Sequence, residues 1–94
     1  MKILAVCGFG VGSSMVLKMT IDKAIRELNI DAEVENTDLS SAKSMDADVY
    51  LTSSELKEEL SRNTTKPVYP IKKYMDKEEV KDALKQYLSE RGNE

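Results

Sequence analysis

Segments with the length and apolar content of β-strands alternate along this chain with segments in which apolar residues recur every three to four positions. The order of elements that this predicts is β-α-β-turn-β-α-β-α. Strands that alternate with helices form parallel sheets with right-handed crossovers. The expected fold is an α/β fold, a small open parallel four-stranded sheet in the order 2-1-3-4 with helices on both faces. This is a Rossmann-like or flavodoxin-like three-layer sandwich, and residues 1–94 are expected to form a single domain.

Local patterns give the expected bounds of these elements. Strands are expected at about residues 1–6, 31–38, 49–51 and 67–71, and helices at about residues 13–29, 53–62 and 76–91. A short turn or a single helical turn is expected at residues 40–45. The strand at 31–38 should lie at an edge of the sheet because its polar residues alternate with apolar ones. The strand at 67–71 should lie at the other edge because its two prolines remove ladder donors.

Small polar residues near the helix starts predict N-caps. Ser13 or Ser14 is expected to cap the first helix. Thr52 or Ser53 is expected to cap the helix that ends near residue 62, and Thr52 has the capping-box spacing to Glu55.

The last helix carries a fuller set of end signals. Asp76 and Glu79 have the spacing of a capping box, and Met75 and Val80 occupy the positions of a hydrophobic staple around it. Gly92 is expected just beyond the end of this helix.

Composition excludes several classes of function. A net charge of −3 disfavours nucleic-acid binding, and no apolar run approaches the ~20 residues of a membrane span, so no direct membrane insertion is expected. The chain has no histidine and one cysteine, Cys7, so a disulfide within the chain, a Ser-His-Asp triad and a Cys-His pair are impossible. A zinc site would have almost no ligands, and neither a metal nor a cofactor is expected. Cys7 is therefore the natural nucleophile.

Cys7 ends the first predicted strand and is followed by a glycine- and serine-rich segment. The segment consists of Gly8, Phe9, Gly10, Val11, Gly12, Ser13 and Ser14. Glycines let backbone N–H groups converge on one point, and a helix start adds unpaired N–H donors and partial positive charge. We expect this loop to bind a phosphate and to lower the pKa of the Cys7 thiol.

The same loop pattern is compatible with a purely structural role, and parts of it occur in other kinds of site. A cysteine that ends a buried strand is often only a small apolar residue, and glycines can simply permit a tight turn. The loop lacks the lysine of a P-loop, the Gly-x-Gly-x-x-Gly spacing of a dinucleotide site and the second cysteine of a redox pair. A low-molecular-weight cysteine phosphatase has a similar layout but needs an arginine where Ser13 stands. A loop of this kind could hold phosphocysteine without being built to hydrolyse it.

The run Cys-Gly-x-Gly-x-Gly-Ser-Ser-Met between a strand and a helix resembles the IIB component of the sugar phosphotransferase system (PTS). Within the ascorbate, galactitol and lactose group it looks closest to the ascorbate type. The resemblance implies that Cys7 accepts a phosphoryl group from a phosphohistidine of a IIA partner. Cys7 would then pass it to an ascorbate-like sugar or alditol bound to a membrane IIC partner during uptake. It also implies a cytoplasmic protein that associates with the inner face of the membrane through IIC.

Several assignments stay open at this stage. Phe9 and Val11 could belong to a docking surface or could pack locally. The four tyrosines are expected in the core and at its rim, namely Tyr50, Tyr69, Tyr74 and Tyr87. The alternative functions are a phosphatase or arsenate-reductase-like enzyme and a non-catalytic IIB-like regulatory module. The sequence runs from Met1 to a short polar tail, which favours a free-standing protein.

Overall fold

A computed structural model describes residues 1–8 and 10–92, and for residues 10–14 and 91–92 it describes the backbone alone. The strands are β1 (Lys2–Cys7), β2 (Glu33–Asp38), β3 (Val49–Thr52) and β4 (Val68–Pro70). The helices are α1 (Gly10–Glu27), α2 (Leu39–Ala42), α3 (Ser54–Arg62) and α4 (Lys77–Gly92). The four strands form a parallel sheet in the order β2-β1-β3-β4, which confirms the predicted order and both predicted edge strands.

The sheet separates two hydrophobic clusters, as a three-layer sandwich requires. One cluster joins Ile3 and Ala5 of β1 to α1 and α4. The other joins Leu4 and Val6 of β1 to α2 and α3. Side chains of a strand point alternately to its two faces, so a strand buried on both faces must be apolar at every position. The continuous apolar sequence of β1 therefore places it in the middle of the sheet.

Helix α1 begins and ends earlier than the sequence suggested. It begins at Gly10 rather than near Ser13, so the prediction of Ser13 or Ser14 as its N-cap is wrong. It ends at Glu27, and Asn29 follows with a left-handed φ of 57°. The N–H of Ile30 donates to the Ile25 carbonyl at 2.8 Å, which closes the helix in a Schellman motif.

The N-caps predicted for the other two long helices are present, and for α3 the structure decides between the two predicted candidates. Ser53, not Thr52, caps α3, because Thr52 is the last residue of β3 and its hydroxyl is used within the sheet. Asp76 caps α4 through the N–H groups of Glu78 and Glu79 at 3.0 and 3.3 Å, as predicted.

The rest of the predicted box and staple around α4 does not form. The Glu79 carboxylate accepts from the N–H groups of Lys72 at 2.7 Å and Lys73 at 2.9 Å instead of reaching back to Asp76. Met75 is 83% exposed and is no staple. Gly92 lies inside the helix as its last residue.

The cap of α3 gives a direct test of this local structure. Ser53→Ala removes the oxygen that accepts from the Leu56 N–H at 3.3 Å, and we expect it to lower the free energy of unfolding by about 1 kcal/mol. Ser54→Ala, one residue later and exposed, should change it by much less. Urea unfolding of the two variants provides the comparison. Equal losses in both would contradict the assignment of Ser53 as the cap.

Candidate active site

Cys7 is the last residue of β1, at the carboxyl end of a strand that lies between β2 and β3. The four residues before it are fully buried. The Thr52 hydroxyl donates to the Val6 carbonyl at 2.8 Å, and the Ile71 N–H donates to the Thr52 carbonyl at 2.7 Å. These bonds connect β1, β3 and the end of β4 next to Cys7, so the backbone that carries the sulfur is anchored to its neighbours in the sheet.

A cleft of about 400 Å³ opens beside the Cys7 sulfur. Its lining comes from three connections of the fold: Gly8 after β1, Ser53 and Leu56 at the start of α3, and Lys72 and Tyr74 between β4 and α4. The Cys7 residue is only 2% exposed, but it lines this cleft and is not sealed within the core. Cys7 therefore borders a space that can hold a small group, although the residue itself is almost fully covered.

Tyr74 is the neighbour of Cys7 that sequence analysis missed. It lines the same cleft as Cys7 and Ser53, which places its hydroxyl where it can exchange hydrogen bonds with the Cys7 sulfur and the Ser53 hydroxyl. The prediction that the tyrosines lie in the core or at its rim is right for all four, because Tyr50 and Tyr87 are buried and Tyr69 and Tyr74 pack against the core at its rim. Tyr74 is partly buried, but its hydroxyl belongs to the site. Only its spacing from the last strand could have drawn attention to it, since residues just beyond a parallel strand lie at the same edge as Cys7.

The prediction of a lowered pKa for the Cys7 thiol is wrong in direction. Burial raises the pKa of Cys7, because the thiolate loses solvation, and the hydrogen bond from Tyr74 opposes that rise without cancelling it. Burial also raises the pKa of Tyr74 to about 12, with the hydrogen bond to Cys7 as the next cause. Tyr74 therefore keeps its proton at neutral pH and can donate it to the sulfur.

The structure describes only part of the predicted phosphate-binding loop. Gly8 is exposed, and a Cβ placed there would come within 3.3 Å of Leu56 Cδ1, so the absence of a side chain permits close approach to α3. Residues 10–14 form the first turn and more of α1, which makes the loop shorter than expected. Phe9 and the side chains of Val11, Ser13 and Ser14 lie outside the described residues. The roles predicted for them stay predictions.

Two features are absent from the described residues. Among them, no three His, Cys, Asp or Glu side chains come together as a metal site requires. Within the same part of the chain, no helix has both the length and the apolar composition needed to cross a lipid bilayer.

A parallel sheet with a cysteine at the carboxyl end of an inner strand, beside a cleft, places a nucleophile where open α/β sheets bind their ligands. Residues 2–86 match a protein-family model described as "PTS system, Lactose/Cellobiose specific IIB subunit". The chain belongs to this family of phosphotransferase-system IIB components.

Individual relatives agree with this assignment. An "Ascorbate-specific PTS system EIIB component" of Mycoplasma pneumoniae is 33% identical over 90 residues, covering 94% of this chain and 95% of the relative. A protein of the same name from Salmonella typhimurium is 32% identical over 91 residues, covering 95% and 90%. The lactose-specific IIB domain of Streptococcus pneumoniae has the same fold, with a TM-score of 0.71 at 14% identity over 95% of each chain. The chain is thus a phosphotransferase that acts on a sugar within a PTS.

The burial of the sulfur predicts how the thiol titrates. We expect the rate of Cys7 alkylation by iodoacetamide to rise with pH around a midpoint above that of the same thiol in urea, because folding removes solvent from the thiolate. Because the thiol binds its proton more tightly in the folded state, its contribution to the free energy of unfolding is fully present below the pKa of the unfolded thiol. That contribution is lost as the pH rises through the pKa of the folded thiol. A folded midpoint below the unfolded midpoint would contradict this.

Proposed function

We propose that Cys7 is the residue that carries the phosphoryl group. The observation that carries this proposal is the position of Cys7 at the carboxyl end of an inner strand, where the residue lines the cleft. It is the sole cysteine of a chain without histidine, so no second thiol and no imidazole in the sequence competes with it for the phosphoryl group. An S–P bond forms as a P–N bond on the donor breaks, and the thiol proton ends on the donor imidazole.

We further propose that backbone N–H groups of residues 8–14 hold the phosphoryl oxygens. The first N–H groups of a helix have no carbonyl partners within the helix, and α1 begins three residues after Cys7. These N–H groups therefore lie close to Cys7 in the chain. The positive end of an 18-residue helix favours a dianion at this point. The hydroxyls of Ser13 and Ser14 would supply further donors.

The family assignment supports the rest of the relay. A IIA partner would deliver the phosphoryl group as phosphohistidine, and a membrane IIC partner would present the sugar. In the second transfer the S–P bond breaks, a P–O bond forms at a sugar hydroxyl, and the hydroxyl proton ends on the thiol. The relatives are named ascorbate-specific, so we propose an ascorbate-like substrate. The chain would act as one cytoplasmic phosphocarrier domain, docking on the membrane through IIC.

Phosphotransfer to purified protein tests the proposal. The chain is incubated with phosphoenolpyruvate, the two general PTS proteins and a panel of IIA proteins that includes the ascorbate type. We expect one phosphoryl group per chain by intact mass, and none that is transferable on Cys7→Ser. Ala32→Ser is the matched control and should label like wild type, because Ala32 precedes β2 at the opposite end of the sheet from Cys7.

The same preparations separate a carrier from a hydrolase. Transferable label on Cys7→Ser, or no label from any IIA protein, would contradict the carrier role of Cys7. Cys7-dependent turnover of para-nitrophenyl phosphate would instead favour a phosphatase. We expect none, because an arginine is missing at position 13, where a phosphatase loop needs its guanidinium.

A further inference from the structure

Tyr74 lies in a segment that two separate contacts hold against the site. The Thr20 hydroxyl of α1 donates to the Tyr74 carbonyl at 2.5 Å, and Thr20 itself is only 6% exposed. The Glu79 carboxylate of α4 accepts from the backbone N–H groups of Lys72 at 2.7 Å and Lys73 at 2.9 Å. A segment of irregular backbone is thereby fixed to both helices on one face of the sheet. Tyr74 is more tightly placed than a residue of a free loop.

The hydroxyls of Ser53 and Tyr74 line the cleft together with Cys7, in an order that allows a directional chain of hydrogen bonds. The Leu56 N–H, in the first turn of α3, donates to Ser53 Oγ at 3.3 Å. Ser53 can then donate its own proton to Tyr74 Oη, and Tyr74 can donate to Cys7 Sγ. In such a chain each hydroxyl accepts from one neighbour and donates to the next, so the bonds polarise one another. The positive end of α3 would thus act on the sulfur through two hydroxyls.

We propose that Tyr74 is a positioning residue for phosphoryl transfer, which donates a hydrogen bond to the Cys7 sulfur whenever that sulfur bears negative charge. This inference rests on the proposed role of Cys7 as the phosphoryl carrier. The sulfur is charged when it attacks the donor phosphoryl group and again when it leaves the sugar phosphate, with the S–P electron pair returning to it. The same hydroxyl serves both steps, because both place charge on one atom in a buried setting.

Charges near the sulfur affect how the inference can be tested. Among the described residues that line the cleft, the ionisable ones besides Cys7 are Glu55, Lys72 and Tyr74. Because burial raises the pKa of Tyr74 to about 12, its hydroxyl keeps its proton throughout the pH range in which a thiol titrates. A change in thiol titration in Tyr74→Phe therefore reports on hydrogen bonding to the sulfur and not on a change of charge at residue 74.

Tyr74→Phe is the main test and needs two measurements on the same preparation. The first is the pH profile of Cys7 alkylation by iodoacetamide, and the second is the rate of phosphoryl transfer from the IIA protein. We expect alkylation at pH 8 to slow on the order of tenfold, since a hydrogen bond to a charged group is lost, and transfer to slow with it. The midpoint of the pH profile moves up.

Tyr69→Phe is the matched control. The Tyr69 hydroxyl donates to Glu90 at 2.9 Å, and its ring packs edge-on against Tyr87 with the centroids 6.5 Å apart. Removing that hydroxyl should leave both measurements at the wild-type level. Thr20→Val keeps the Tyr74 hydroxyl but releases its backbone, so it should shift both measurements in the same direction by less. If circular dichroism shows that Tyr74→Phe does not fold, the two measurements on Thr20→Val provide the test of the inference.

Each outcome has one meaning. Slower alkylation together with slower transfer in Tyr74→Phe supports the inference. A change in only one of the two, or in neither, overturns it while leaving Cys7 as the carrier. Transferable label on Cys7→Ser overturns the proposed function itself, and the alkylation profile of Tyr74→Phe is measured independently of that result.

Discussion

The burial of β1 on both faces determines where the reactive sulfur lies. Ile3, Leu4, Ala5 and Val6 are fully buried and alternate between the two hydrophobic clusters. Such a strand is stable only in the middle of a covered sheet. Its carboxyl end then opens between the crossover to β2 and the neighbouring β3, the switch point at which open α/β sheets bind ligands. Cys7 is the residue at that point.

This position has an electrostatic cost that shapes the rest of the site. A sulfur that is nearly inaccessible to water carries charge unfavourably, so the pKa of Cys7 rises. A thiolate of higher pKa is also the stronger nucleophile once formed. The site therefore needs donors that act when the sulfur is charged. Tyr74 can donate a hydrogen bond to the sulfur, and the first N–H groups of α1 lie close to Cys7 in the chain. The chain contains no histidine, so proton acceptance is left to the partner protein.

Sequence patterns predicted the fold well because they follow from backbone periodicity. Each of these patterns is compatible with one stable arrangement of the backbone. The patterns are the apolar run of β1, the prolines at the edge strand and the apolar spacing of α4. Helix ends were less predictable. Ser53 rather than Thr52 caps α3, because the Thr52 hydroxyl is already bonded to Val6 in the sheet. Such competition between partners is a property of the folded structure and cannot be obtained from spacing.

The site was predictable where it is local and not where it depends on distant segments. Cys7 was found because a strand, a nucleophile and glycines are adjacent in sequence. Tyr74 was missed because it lies far from Cys7 in the chain. The order of the strands and the hydrogen bond from Thr20, which is 54 residues away in the chain, bring it to the site. The direction of the Cys7 pKa was wrong for a related reason. Sequence reasoning considered the helix start beside the thiol, whereas burial, a property of the whole fold, is the larger cause.

Locating the phosphoryl group on the wild-type protein tests this account most directly. The protein is phosphorylated by its donor and fragmented by tandem mass spectrometry under conditions that preserve the labile bond. We expect a single phosphoryl group on the sulfur of Cys7, with Ser53 and Tyr74 unmodified. A phosphoryl group on either of those hydroxyls, or on any other residue while Cys7 remains a free thiol, would contradict the account.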